Sequence, residues 1–311
     1  MKNNVAFIFP GQGSQTVSML KDFNENETVR STFKEASDAL GYDLWQLVSQ
    51  GPVEQLNQTE CTQPALLTAS VAMWRLWQQS SSKTPAILAG HSLGEYSALV
   101  CAQVLSLTDA VQLVKKRGQF MQASVPQGTG AMAAIIGLAD DAIIAACQQA
   151  EQQQVVSAVN FNSPGQVVIA GNKEAVERAG ILCKDAGAKR VLPLPVSVPS
   201  HCALMAGAAD KLAAELQSIS FNSPVIPVIN NVDVSIETDE VAIKQGLIKQ
   251  LHSPVRWTET VACLSEHGIN LVVEAGPGKV LQGLLKRIDK TITCVSLNDN
   301  ASLLKVQELI K

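Results

Sequence analysis

Three times along the chain a short apolar run ends at glycine and gives way to a helical pattern. Residues 5–9 run into Pro10-Gly11-Gln12-Gly13-Ser14-Gln15, residues 86–89 into Gly90-His91-Ser92-Leu93-Gly94, and residues 271–274 into Gly276-Pro277-Gly278. Apolar runs of this length, alternating with helices, are the mark of an α/β fold whose sheet is largely parallel. The helical stretches fall at 62–79, 95–102 and 279–287. At 311 residues the chain can bury the core of one large α/β domain, with room for a smaller one.

The stretch from 127 to 196 has an order of its own. Strands are expected at 131–136, 155–160, 167–170 and 189–194, and helices at 140–150 and 173–186. The turn Asn162-Ser163-Pro164-Gly165 separates the two middle strands. This β-α-β-β-α-β order is that of a ferredoxin-like unit complete in itself. It reads as a subdomain, residues 127–196, inserted between two halves of the large domain, 1–126 and 197–311.

Hydrophobic residues make up 46% of the chain and charged residues 17%, a composition that folds rather than stays disordered. No apolar run reaches the ~18 residues of a membrane span, and the first residues lack the pattern of a secretory leader. Seven scattered cysteines with no C-x-x-C pair point to a reducing compartment, so a cytoplasmic protein is expected. A net charge of −4 argues against a nucleic-acid partner.

Gly90-His91-Ser92-Leu93-Gly94 fits G-x-S-x-G, with a strand before it and a helix after it. Glycines permit the sharp turn that lifts a serine oxygen clear of the backbone. The N–H groups that open the next helix lack helical partners and can donate to a developing oxyanion. The alternative is a glycine-rich connection with an incidental serine. A serine nucleophile needs a base, and the chain has four histidines. His91 adjoins Ser92, so the two side chains diverge, and His267 ends a helix, where its charge would complement the dipole. His201, after a proline-rich strand end, and His252, which closes the helix at 241–252, both remain candidates.

Arg117 falls in the middle of an apolar helical face made by Ala110, Leu113, Val114 and Met121, while Lys115 and Lys116 point the other way. A guanidinium stays charged when buried and needs an anion, ideally a carboxylate held by two parallel bonds. Either an internal ion pair or a substrate carboxylate could serve. The loop Gly11-Gln12-Gly13-Ser14-Gln15 does not fit a phosphate-binding pattern, since Thr16 replaces the last glycine and no G-K-[ST] follows. It suits a backbone-and-amide lining for a polar pocket.

Together these pieces resemble the malonyl-CoA:acyl carrier protein transacylases of dissociated fatty acid synthesis, almost from end to end. The landmarks are Phe9-Pro10-Gly11-Gln12-Gly13-Ser14-Gln15, Thr62-Gln63-Pro64-Ala65, Gly90-His91-Ser92-Leu93-Gly94-Glu95 and Arg117-Gly118. Further on come Asn160-Phe161-Asn162-Ser163-Pro164-Gly165-Gln166, Pro195 to His201, and Glu274-Ala275-Gly276-Pro277-Gly278. The resemblance implies an α/β-hydrolase-like large domain with the ferredoxin-like insert. It implies Ser92 as nucleophile, His201 as base, Gln12 and the Leu93 N–H as oxyanion hole, and Arg117 as clamp for the malonyl carboxylate. It further implies Gln250 as the residue whose carbonyl orients the histidine, with Gln63, Asn160 and Asn162 lining the cleft. The implied partners are malonyl-CoA and acyl carrier protein, with no metal, no cofactor, no membrane and a monomeric state. Lys189-Arg190 and Lys286-Arg287 are candidate contacts for an acidic carrier. An α/β-hydrolase esterase shares the elbow, but the insert and Arg117 tell against it. A carrier-docking module with a dead site is opposed by the intact Ser92, His201 and Arg117.

Overall fold

A computed structural model describes residues 4–126, 128–196 and 198–310. The expected boundaries of the insert fall on Gln127 and Ser197, which lie outside the described residues. Among the described residues nine strands form two sheets: β1 (Val5–Phe9), β2 (Ile87–Gly90), β3 (Gly130–Ile136), β4 (Val156–Ser163), β5 (Gln166–Asn172), β6 (Arg190–Pro193), β7 (Val228–Ile229), β8 (Leu271–Ala275) and β9 (Thr293–Leu297).

The first sheet has the order β7-β2-β1-β8-β9, and its neighbouring strands are parallel. Parallel strands need helical crossovers, which cover both faces. Accordingly β1 is buried along its whole length, with Val5, Phe7 and Phe9 facing one core and Ala6 and Ile8 another. On the first of these faces Trp74 and Trp77 of the long helix Thr59–Ser80 pack on Phe7, with ring centroids 5.1 and 4.5 Å away. Among the described residues no helix, this one included, is long and apolar enough to cross a membrane.

The second sheet has the order β4-β5-β3-β6 and is antiparallel throughout. One face rests on the helices Asp140–Ala150 and Lys173–Asp185. The other packs Met132, Ala134 and Val168 against Cys202, the neighbour of His201. The turn between β4 and β5 is tighter than the sequence suggested: β4 runs on to Ser163, and Pro164-Gly165 alone closes the hairpin, with Gly165 at φ 73°. Asn160 and Asn162 therefore lie on a strand, whose pairing is irregular between Ala158 and Asn160 and again between Phe161 and Ser163. There β4, still paired with β5, also bridges to Val255, giving bonds Phe161 N to Val255 O (3.0 Å) and Val255 N to Val159 O (2.8 Å). This bridge ties β4 to the segment that leads into the helix Trp257–Glu266.

Candidate active site

The three glycine-broken loops end up together, at the carboxyl edge of the parallel sheet. Gly90 and Gly94 are needed for close approach: a Cβ on Gly90 would lie 1.9 Å from the Gly94 carbonyl carbon, and one on Gly94 would lie 2.0 Å from Phe9 O. Between them Ser92 takes φ 53° and ψ −109°, a conformation that costs a non-glycine residue about 1–3 kcal/mol. The side chain of Asn231 holds it there, accepting from Ser92 N (2.6 Å) and donating to Gly90 O (2.6 Å). Beyond Ser92 the helix Leu93–Cys101 begins. Gly94 N and Glu95 N are used by His91 O and Ser92 O, leaving the Leu93 N–H as the donor next to the serine.

Ser92 Oγ lies 2.8 Å from His201 Nε2. His201 has a positive φ of 65°, held by a bond from its N–H to Leu251 O (3.0 Å). Its Nδ1 lies 2.6 Å from the backbone carbonyl of Gln250. A carbonyl can only accept, so Nδ1 carries the proton and Nε2 offers its lone pair to the serine hydroxyl. Burial, and then the nearby Arg117 charge, push the imidazole down to about 3, so it is neutral at pH 7.

Arg117 comes from the helix Leu107–Ala123 and is 1% exposed. Its Nη1 donates to Gln63 Oε1 (2.8 Å), and its Nη2 to Gln250 Oε1 (3.0 Å) and Ser92 Oγ (3.4 Å). The guanidinium carbon stands 5.4 Å from the Tyr96 ring centroid. Among the described residues no carboxylate forms an ion pair with it, and its Nε–H has no partner. Lys115 and Lys116 turn outward as expected, Lys115 over Tyr42 and Lys116 onto Glu215.

These groups open on a cleft of about 200 Å³ between the two sheets, walled by Gln12, Leu93 and Arg117 on one side and Met132, Asn160 and Leu194 on the other. A buried cation beside a serine already bonded to a neutral histidine is equipment for attack on a carbonyl carried by an anionic substrate.

The acyl transferase domain family matches residues 6–303. The chain belongs to the acyl transferase family. Similar proteins include the malonyl CoA-acyl carrier protein transacylase of Escherichia coli K12, 63% identical over 98% of this chain and 99% of that one. That of Bacillus subtilis is 43% identical over 99% of this chain and 98% of its own. Among solved structures, an acyl carrier protein S-malonyltransferase from Vibrio cholerae superposes with a TM-score of 0.96 at 65% identity, covering 97% of this chain and 99% of the other. A malonyl-transacylase in complex with a type II polyketide synthase acyl carrier protein gives 0.97 at 59% identity, covering 98% and 99%.

In this acyl transferase the ring that meets Ser92 is that of His201. His252 is half-buried just beyond Leu251, and His267 caps the helix Trp257–Glu266. His91 turns away, its Nε2 2.8 Å from Asn162 Oδ1. Two of the three polar residues expected on the cleft wall stand behind it instead. Gln63 is fully buried under Arg117, and Asn162 is spent on His91, which leaves Asn160 on the wall. A regular strand puts residues two apart on one face, so the simple count would have kept 160 with 162; the irregularity between Phe161 and Ser163 separates them.

Two residues of the acyl transferase site went unread in the sequence: Glu95 and Asn231. Asn231 sits in a loop without periodicity, and nothing in the sequence marks it. Glu95 carried a signal. It lies in the first turn of a helix, Leu93–Cys101, that is buried on almost every side, where a carboxylate is out of place.

Proposed function

We propose that this chain transfers a malonyl group from malonyl-CoA to the phosphopantetheine thiol of an acyl carrier protein, through a malonyl ester on Ser92. The observation that carries the reading is Arg117: a fully buried cation, unpaired with any carboxylate among the described residues, whose Nη2 lies 3.4 Å from the nucleophile oxygen. Burying such a charge is costly unless an anion meets it. The free carboxylate of a malonyl group lies two bonds from the thioester carbonyl, so one substrate fills both needs.

His201 takes the proton as Ser92 Oγ bonds to the thioester carbon, and the Leu93 N–H with the Gln12 amide receives the oxyanion. The tetrahedral adduct collapses, the C–S bond breaks, and His201 returns the proton to the leaving CoA thiolate. The carrier's thiol then gives its proton to His201 and attacks the ester, and Ser92 leaves with that proton restored. No step needs a group beyond these side chains and the two thiols. The carbonyl of Gln250 keeps the imidazole in the tautomer both halves require.

The names and high identity of the relatives support the same substrates and a role in fatty acid synthesis. The crossing order of the antiparallel sheet supports a ferredoxin-like insert, and the serine elbow on a parallel sheet supports a hydrolase-like large domain. We place the boundaries at 127 and 196 and the enzyme, as a monomer, in the cytoplasm. Brief incubation with malonyl-CoA should leave a malonyl adduct on Ser92, read by mass spectrometry of the peptide. An unmodified Ser92 with CoA released would sink the ester intermediate.

A further inference from the structure

Glu95 is 3% exposed and occupies a position that none of the chemistry above uses. Its Oε2 accepts two bonds, from Gln250 Nε2 (2.8 Å) and from Asn231 N (2.9 Å). Each donor residue grips a different part of the site. Asn231 clamps the strained Ser92 through its side-chain amide. Gln250 touches more: its Nε2 also donates to Ser92 O (3.1 Å), its Oε1 accepts from Arg117, and its carbonyl accepts from His201. The carboxylate is thus two hydrogen bonds from the serine by one route, and from the guanidinium and the imidazole by the other.

An ionised carboxylate can only accept. Together with the Ser92 carbonyl and the Arg117 guanidinium it sets which way the Gln250 amide lies, with the NH₂ towards Glu95 and Ser92 O and the oxygen towards Arg117. A neutral group at this place has an N–H or O–H of its own, so it removes one of these constraints and leaves the amide held by Ser92 O and Arg117 alone. The charge matters as well. The Ser92–His201 pair lacks a directly bonded acid, and the imidazolium that forms during attack must coexist with Arg117. Glu95 and Glu274 are the buried carboxylates among the described residues, and Glu274 is engaged at the start of the helix Val280–Ile288.

We propose that Glu95 is a positioning residue for acyl transfer: its ionised carboxylate orients Gln250 and Asn231, and supplies the negative charge that the serine–histidine pair lacks. This rests on the transacylase reading for its substrate. Burial raises the carboxyl to about 7, against the pull of Gln250, Asn231 and Arg117. Ionised Glu95 is therefore the form present above pH 7, and it is lost as pH falls through that value.

The charged and titratable groups around it are few. Arg117 faces it from the helix Leu107–Ala123, and Tyr96 follows it on its own helix. His201 lies beyond Gln250, and the loop after β7 brings Asp233, itself 3.7 Å from Lys249, and Glu237 across a small crevice. Strands β1, β2 and β7 carry no ionisable side chain. On the helix Thr59–Ser80, Glu60 and Cys61 act on Tyr42, and Arg75 is held by Glu35.

The test uses the full-length enzyme, with kcat/KM for malonyl transfer and the rate of Ser92 labelling by a fluorophosphonate, both across pH. Wild type should show an acid limb near pH 7 in both. Glu95→Gln should run roughly ten- to hundredfold slower above that pH, the effect of one unit charge over several ångströms at an effective dielectric of about 20, and should lose the limb. Glu95→Asp keeps the charge and should keep a limb. A Glu95→Gln enzyme with the wild-type limb, or one as fast as wild type, overturns the proposal. Should that variant not fold, the wild-type limb decides alone. A carboxyl ionises almost without heat, so its midpoint should hold still with temperature, whereas a midpoint that falls on warming belongs to an imidazole. Because the label needs no acyl donor, a wild type that labels but never takes malonyl refutes the transacylase reading and leaves this one testable.

Discussion

The parallel sheet is buried on both faces and ends, along its carboxyl edge, in loops that carry Gln12 and Ser92. The antiparallel sheet rests one face on two helices and turns the other towards the cleft, and its edge strand β6 is mostly exposed. Loops of the first sheet carry Ser92 and Gln12, the second supplies wall (Met132, Asn160 and Leu194), and His201 comes from the segment that follows β6. Strands packed on both sides are hard to displace, so loops at their ends can hold strained residues such as Ser92 in place. A sheet with one soft edge suits a wall that must admit two large thiol carriers in turn.

The difference should appear as a gradient of mutational effects. At the steep end, Ser92→Ala should abolish the malonyl adduct while thermal unfolding stays near wild type, since a small side chain at a turn packs against little. An adduct at wild-type level would remove Ser92 from the mechanism. His201→Ala should slow acylation at pH 7 by roughly 10²–10⁴-fold, the usual contribution of a general base. A loss of that size in His252→Ala instead would move the base elsewhere. Asn231→Ala leaves Ser92 N and Gly90 O without their partner and should cost roughly 2–4 kcal/mol in denaturant unfolding, besides slowing the reaction. On the facing wall, Met132→Ala should change kcat/KM for malonyl-CoA by less than about tenfold, the worth of one apolar contact to a substrate. A hundredfold loss there would mean that the antiparallel sheet takes part in the chemistry. Smallest of all, charge reversal at Lys189-Arg190 or Lys286-Arg287, all four exposed, should leave acylation by malonyl-CoA alone and weaken only the carrier step, most at low salt.

The same contrast explains what could be read from the residues. Strands that feed glycine-broken loops announce themselves, because a turn tight enough to need Gly90 and Gly94 admits few substitutes. The inward phase of Arg117 was legible for a similar reason, since a helix has a fixed period. Long-range pairings were not. Ser92 and His201 are 109 residues apart, and nothing local separates His201 from His252; only folding brings one ring to the serine. Asn231 and the side chain of Gln250 act through bonds to residues more than 130 positions away. The misplacement of Gln63 and Asn162 had a physical cause of the same kind, because both are taken up by partners from other elements, the buried Arg117 and the half-buried His91.

The central claim is that Arg117 waits for a substrate carboxylate, and selectivity tests it most directly. The measurement is kcat/KM for malonyl-CoA and acetyl-CoA in wild type, Arg117→Lys and Arg117→Ala. Wild type should prefer malonyl by roughly a hundredfold or more, the worth of charge-assisted bonds made to one substrate and left unmade by the other. Arg117→Ala should lose most of that preference by losing malonyl transfer, with acetyl transfer spared or raised. Lysine should recover only part, as a point charge without the planar fork. Equal losses for the two thioesters in Arg117→Ala would show that the guanidinium only props up the site, and the account would fail.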